Sequence, residues 1–221
     1  MGEETYHQRV KEEKRLAAMQ AATDLFLEQG YERTSLQQVA KRADVSTATL
    51  FKRYPTKASL FEAMVEAFWA VEDTCGGAIL TSNPRAGLRK IGLDYAKRMR
   101  APQMAAIYRL IIAEALHFPD LGRMLYDKGK GPYLDWLNTY LAAEVNAGEL
   151  VIPDIPNTSR AFLATIAGQV FWPELVVPGC GGTDAEVRAV VDHAVTMVLV
   201  KYAKPKTKAG ASVPERADTA S

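Results

Sequence analysis

RTSLQQVAKRADVSTATLFKRYPTK, residues 33–57, compresses two short helical periodicities and a turn signal into one segment. Thr34 and Gln37 have T-x-x-Q spacing, which predicts a capping box at the start of a first helix near Ser35. Leu36, Val39, Ala40 and Ala43 follow at i, i+3, i+4 and i+7, one apolar face, while Gln37, Gln38, Lys41 and Arg42 stay outside. Asp44 tolerates turn geometry. Ser46 then reads as the N-cap of a second helix, with Val45 and Leu50 spaced as a hydrophobic staple. That helix turns only Leu50 and Tyr54 inward and leaves Thr47, Ala48, Thr49, Phe51, Lys52 and Arg53 for a partner. The segment holds six Lys/Arg (33, 41, 42, 52, 53, 57) against Asp44, a charge of 6 − 1 = +5. Small residues at a helix start and a local positive field suit entry into the major groove of DNA between two phosphate backbones. A plain αα-hairpin burying core is the alternative reading of the spacing alone.

Around this segment the residues resemble the TetR-type transcriptional repressors. The likeness runs through Ala21-Ala22, Leu25-Phe26, Gly30-Tyr31, Thr34-Ser35-Leu36, Val39-Ala40, Ala43, Val45-Ser46, Leu50-Phe51, Arg53-Tyr54, Lys57 and Leu60. Three positions depart from the family pattern: Asp44 stands for the usual turn glycine, Ala48 for a frequent glycine, and Phe51 for the commoner tyrosine. The last removes a hydroxyl that in relatives can bond a phosphate. The resemblance carries DNA contacts over to Thr34, Tyr54 and Lys57, with the contact at Phe51 weakened by the lost hydroxyl; the outward-facing and basic positions Arg33, Gln38, Thr47, Ala48, Thr49, Lys52 and Arg53 complete the expected DNA-binding set. It also implies an all-α chain, with an N-terminal three-helix head carrying the helix-turn-helix and a C-terminal helical domain for effector binding and dimerisation.

The whole chain carries a net charge of only +1 over 221 residues, so the positive charge is local to one motif rather than spread over a generally basic surface. Its 48% hydrophobic content suits a real core. Cys75 and Cys180 are the only cysteines and lack zinc spacing, which fits a reducing cytosol; they are assigned no role. The longest apolar run, near Phe162 to Trp172, is shorter than the ~20 residues of a membrane span, so a cytoplasmic protein is expected.

Outward from the motif, residues 1–8 are expected to fray and a helix to begin at Arg9. Ala18, Met19, Ala22, Leu25 and Phe26 form its apolar stripe, with Gly30 ending it. The expected divisions are a DNA-binding head over 9–55 (motif 35–54), a helical body over 56–204 and a disordered tail over 205–221. After Pro55, Thr56 caps a long helix carrying Leu60 to Trp69 and extending to the Cys75-Gly-Gly break; touching both halves, it is a candidate coupling element. The body reads as helices over 85–99, 103–116, 121–126, 131–147, 157–176 and 184–203, punctuated by prolines.

The final helix carries an apolar stripe too wide for one face. Phe162, Ala164, Gly168 and Phe171 with Val191, Val195 and Val198 are therefore expected in a homodimer seam, with a buried monomeric core as the alternative. Trp69, Met104, Tyr108, Ile111, Trp136, Tyr140, Gln169 and Trp172 are expected to line a cavity for a small hydrophobic effector, with ordinary core packing as the alternative for any one of them, and Arg109 and Glu114 either orient a polar end or pair with each other at the surface. Double-stranded operator DNA, a second copy and that effector are the expected partners, with no cofactor and no metal. The competing readings are a regulator without an effector and a small helical enzyme. For the latter, Glu114, His117, Asp192 and His193 form no recognisable catalytic constellation.

Overall fold

The computed structural model describes residues 2–70 and 83–204; Met1, Cys75 with its glycine break, and the tail 205–221 lie outside the described residues. Among those described, the chain is helical, with one β-bridge between Leu150 and Ala203. The elements are α1 (Gly2–Gln29), α2 (Leu36–Arg42), α3 (Thr47–Arg53), α4 (Lys57–Trp69), α5 (Pro84–Met99), α6 (Pro102–Glu114), α7 (Asp120–Leu125), a π turn (Tyr126–Lys130), α8 (Gly131–Asn146), α9 (Ile155–Val170), α10 (Trp172–Val176) and α11 (Asp184–Tyr202).

α1 starts at Gly2 rather than at Arg9. The stretch from Glu3 to Gln29 contains neither Gly nor Pro, so nothing in it breaks the backbone ladder. Gly30, at φ +87°, ends the helix, and its N–H returns to Phe26 O. The cap of α2 is one residue later than the spacing predicted: Ser35 Oγ accepts from Gln38 N, and Gln38 Oε1 accepts from Ser35 N at 2.8 Å. Thr34 is displaced from the box because its hydroxyl, inside the head, donates to Gly30 O at 2.8 Å.

The turn between α2 and α3 is a Schellman motif. Val45 N donates to Ala40 O (3.0 Å) and Asp44 N to Lys41 O (3.4 Å), with Asp44 in the left-handed region at φ +52°. Ser46 then caps α3 through Thr49 N, as the sequence predicted. Pro55 and the Thr56–Ser59 capping box start α4.

α1 packs on α2, α4 and α6; α4 lies along α7 and the π turn; α5, α8, α9 and α11 form the rest of the body. The expected single helix over 157–176 is two, α9 and α10, broken at Phe171. Pro173 has no N–H to return to Gln169, so the ladder fails there. Arg109 stabilises the short α10 by donating to the carbonyls of Glu174 (2.6 Å) and Leu175 (2.8 Å) near its C-terminus. The π turn joins α7 to α8, and Gly129 within it meets the Trp69 ring, where a Cβ would lie 2.4 Å from Cδ1.

Candidate nucleic-acid interface

The apolar faces of α1, α2 and α3 close on one another through Ala18, Ala22, Phe26, Val39, Ala40 and Leu50, all buried. With Leu50 inward, the opposite side of α3 exposes Thr47, Ala48, Thr49, Lys52 and Arg53. Arg33 and Gln38 are exposed beside them, with Arg33 Nε on Gln29 O and Gln38 engaged in the α2 cap. The outer face of α3 therefore combines short side chains, free backbone approach at a capped N-terminus and two cations at its C-terminal end.

Four positions expected at this face lie elsewhere. Thr34 and Tyr54 are buried inside the head. Phe51 is half-buried and packs on the core, where the hydroxyl of a tyrosine is not needed for packing. Lys57 turns its ammonium back onto Tyr31 O (2.6 Å) and Glu32 O (2.9 Å), 4.4 Å from the Tyr31 ring centroid. Burial pulls the Lys57 pKa down, opposed by the charges of Glu114 and Glu32. Its position makes it a tie between the α1–α2 turn and α4.

That turn is also where the head meets the body. Tyr31 N donates to Glu114 Oε1 at 3.0 Å, and the Tyr31 ring packs edge-on against Phe61 (5.8 Å) and Phe118 (5.2 Å). Glu114, expected to orient an effector, instead holds the end of α6 on the head. Nothing in the local sequence of Glu114 signals this, since its partner is 83 residues away.

The residues expected to line one effector cavity separate into different groups. Trp69 and Trp136 join Tyr95 and Tyr133 in one aromatic cluster, and Tyr108 packs edge-on against Phe171 at 4.7 Å in another. Met104, Ile111 and Tyr140 are buried core, with the Tyr140 hydroxyl on buried Glu144 at 2.7 Å, while Gln169 and Trp172 face solvent. Much of this set is covered by mutual packing of apolar and aromatic side chains. Met104 alone of the set lines a described cavity, one of about 300 Å³ bordered by Ala67, Phe68, Asp94, Lys97 and Arg98. There Arg98 bonds Asp94 (2.7 Å) and the Phe68 carbonyl (3.1 Å), linking α5 to the end of α4. A larger apolar groove of about 420 Å³ runs between α1 and α4, past Leu16, Met19, Met64 and Phe68.

The dimer set divides as well. Phe162, Phe171, Val191, Val195 and Val198 are buried within the protomer, whereas Ala164 and Gly168 face outward. The wide stripe on α11 is thus two stripes, an inner one against α5 and α9 and an outer one of His193, Met197 and Val200.

Comparison with known families matches residues 18–64 to the bacterial regulatory proteins of the tetR family and residues 86–204 to the C-terminal domain of AefR-like transcriptional repressors. The chain belongs to the TetR family. It is thus a DNA-binding transcriptional repressor by family, and that family is one of transcription factors rather than enzymes. Among solved structures, a TetR-family regulator from Mesorhizobium loti shares the fold at TM-score 0.71 and 24% identity, covering 86% of this chain and 97% of its own. The flavonoid-responsive regulator FrrA aligns at TM-score 0.67 and 27% identity, covering 87% and 98%. A regulator from Pseudomonas syringae pv. tomato aligns at 0.69 and 23%, also over 87% and 98%. No curated protein matches the sequence. Among the described residues of this TetR-family chain, no helix is long and apolar enough to cross a membrane.

Proposed function

We propose that this TetR-family repressor binds a palindromic operator as a homodimer and is released from it by a small, largely apolar effector. The exposed outer face of α3 carries the DNA reading. Thr47, Ala48 and Thr49 stand at its N-terminal end, where bases are approached, and Lys52 and Arg53 stand where phosphates pass. Two such helices reading one palindrome must lie ~34–36 Å apart, one turn of B-DNA. The outer stripes of α9 (Ala161, Ala164, Gly168) and α11 (His193, Met197, Val200) support the dimer. Apart from His193 they are small or apolar; all are solvent-exposed on adjacent helices, and a Cβ at Gly168 meets nothing within 4 Å in the protomer.

For the effector, the cavity at Phe68, Arg98 and Met104 is the best supported site. Its volume lies at the lower end of the ~300–1,000 Å³ typical of ligand pockets. A flat apolar molecule with an acceptor or anionic end would compete with the Phe68 carbonyl for Arg98 and loosen the end of α4. Flavonoid responsiveness is a property of FrrA; it supports the same ligand chemistry here.

The test is selection of duplexes from a random-sequence pool, followed by titration of flavonoid-like phenols against the complex. Enrichment of an inverted repeat, and its release by a phenol with loss of that release in Arg98→Ala, is the expected result. Enrichment of no sequence refutes operator binding. Release unaffected by Arg98→Ala refutes the placement of the effector.

A further inference from the structure

We infer that the N-terminal part of α1 is a second DNA-contacting element, which grips the phosphate backbone flanking each half-site through Lys11 and Lys14. This rests on the operator-binding reading of α3 and adds a surface that the family match does not reach. The match begins at residue 18, yet α1 is one continuous helix from Gly2. Residues 2–17 therefore continue the same helix N-terminal to the matched segment.

Where this extension points is set by its packing. Lys11, Lys14, Arg15 and Ala18 follow i, i+3, i+4 and i+7 spacing, so they share one face. Ala18, 2% exposed, seats that face against the head. Lys11 and Lys14 then border a narrow groove of about 80 Å³ whose opposite wall is α3, at Thr49, Arg53 and Tyr54. The two lysines are exposed and rim the recognition helix beside its cationic C-terminal end.

Charge within this stretch is partitioned so that the rim stays positive. Glu12 takes Arg15 Nε on both oxygens (2.8 Å each), and Glu13 pairs with Arg9 at 3.7 Å. Glu12 feels the charge of Arg53, but its bond with Arg15 is the chief cause holding its carboxyl below the usual range. Lys11 and Lys14 have no ion pair among the described residues. Two free ammonium groups beside a helix that enters the major groove fit the sugar–phosphate strand bounding that groove. From Ala18 to Lys11 the helix covers about 10 Å at ~1.5 Å per residue, close to the rise of three base pairs. The contact is to phosphate, so it adds affinity and footprint length and carries no base preference.

The test uses the full chain and the duplex that the wild type selects from a random pool. Lys11→Ala/Lys14→Ala keeps strong helix formers in an exposed helix, so α1 persists. Binding is read as the slope of log K against log salt, and the footprint by hydroxyl-radical cleavage. The expected result is a slope smaller by roughly 2 per protomer, at ~0.9 per phosphate contact. The footprint should shorten by about three base pairs on each outer flank, with the rank order of mutated operators unchanged. Lys11→Arg/Lys14→Arg should restore the wild-type slope. An unchanged slope and footprint in the alanine variant, while Lys52→Ala weakens binding, overturns the α1 contact and leaves the α3 reading intact. A changed rank order of operators overturns the phosphate assignment. Failure of the wild type to select any duplex overturns both.

Discussion

Replacing Gly129 by Ala is expected to destabilise the protein, although the same change at Gly122 in the preceding helix stabilises it. At Gly129 the new Cβ would sit 2.4 Å from Trp69 Cδ1 and 2.8 Å from Nε1, against the ~3.5–4.0 Å of an ordinary carbon contact. The ring cannot retreat, being 3% exposed and packed at 5.8 Å on Tyr133 and 6.3 Å on Tyr95. Ring or helix must therefore move by about 1 Å, an overpacking cost of about 1–3 kcal/mol. At Gly122 the nearest atom is Ile111 Cγ2 at 3.8 Å, an ordinary contact. There the exchange gains only the helix preference of Ala over Gly, about 0.5–1 kcal/mol. The difference between the two variants therefore reports chiefly the clash at Gly129. Urea unfolding at fixed protein concentration, analysed with a common slope, should separate the two by about 1–3 kcal/mol. A Gly129→Ala protein as stable as Gly122→Ala would show that the π turn does not bear on Trp69. The same turn holds α4 through Lys128, paired with Glu62 at 2.7 Å and with Glu66 at 3.8 Å. Operator affinity should therefore change in Gly129→Ala and not in Gly122→Ala.

Ser35→Ala removes the α2 cap and should cost about 0.5–2 kcal/mol, whereas Gln37→Ala, at an exposed position outside the box, should stay within about 0.5 kcal/mol; equal effects in thermal melts would return the cap to Thr34 and Gln37. Gly168→Trp should convert the dimer to a folded monomer by sedimentation, with native helicity and weakened operator binding, because the protomer leaves open space there; a dimer that persists refutes the proposed seam. Burial pushes the Tyr108 phenol up to about 12, so folding favours its neutral form. The associated stability is present below pH 10 and is lost as pH rises from 10 through 12. Denaturation midpoints for Tyr108→Phe should fall less steeply over that window, and parallel curves would contradict the assignment.

The helix-turn-helix was legible in residues 33–57 because its determinants are local: a four-residue period, serine caps and a residue tolerant of positive φ act within a turn or two of chain. The cap register slipped by one because T-S-x-Q-Q offers two adjacent boxes. Only the burial of Thr34 against Gly30 selects the second. The break at Phe171 was also local, written in Pro173 but masked by the apolar run around it.

Periodicity assigned Phe162, Val191, Val195 and Val198 to an interface, yet it says only that a face is apolar and not what covers it; α5 covers it within the protomer, and the outer stripe is left free. The residues expected around an effector are dispersed for the same reason. Aromatic residues scattered from 69 to 172 satisfy one another in separate clusters, and whether a void remains depends on how the helices pack. Sequence alone located most of the helices and the helix-turn-helix, since those choices are made by neighbours in the chain. Tertiary structure decided the Glu114–Tyr31 tie, the inward turn of Lys57, the cavity at Arg98 and the alignment of α1 beside α3, because each depends on contacts between elements that no local pattern encodes.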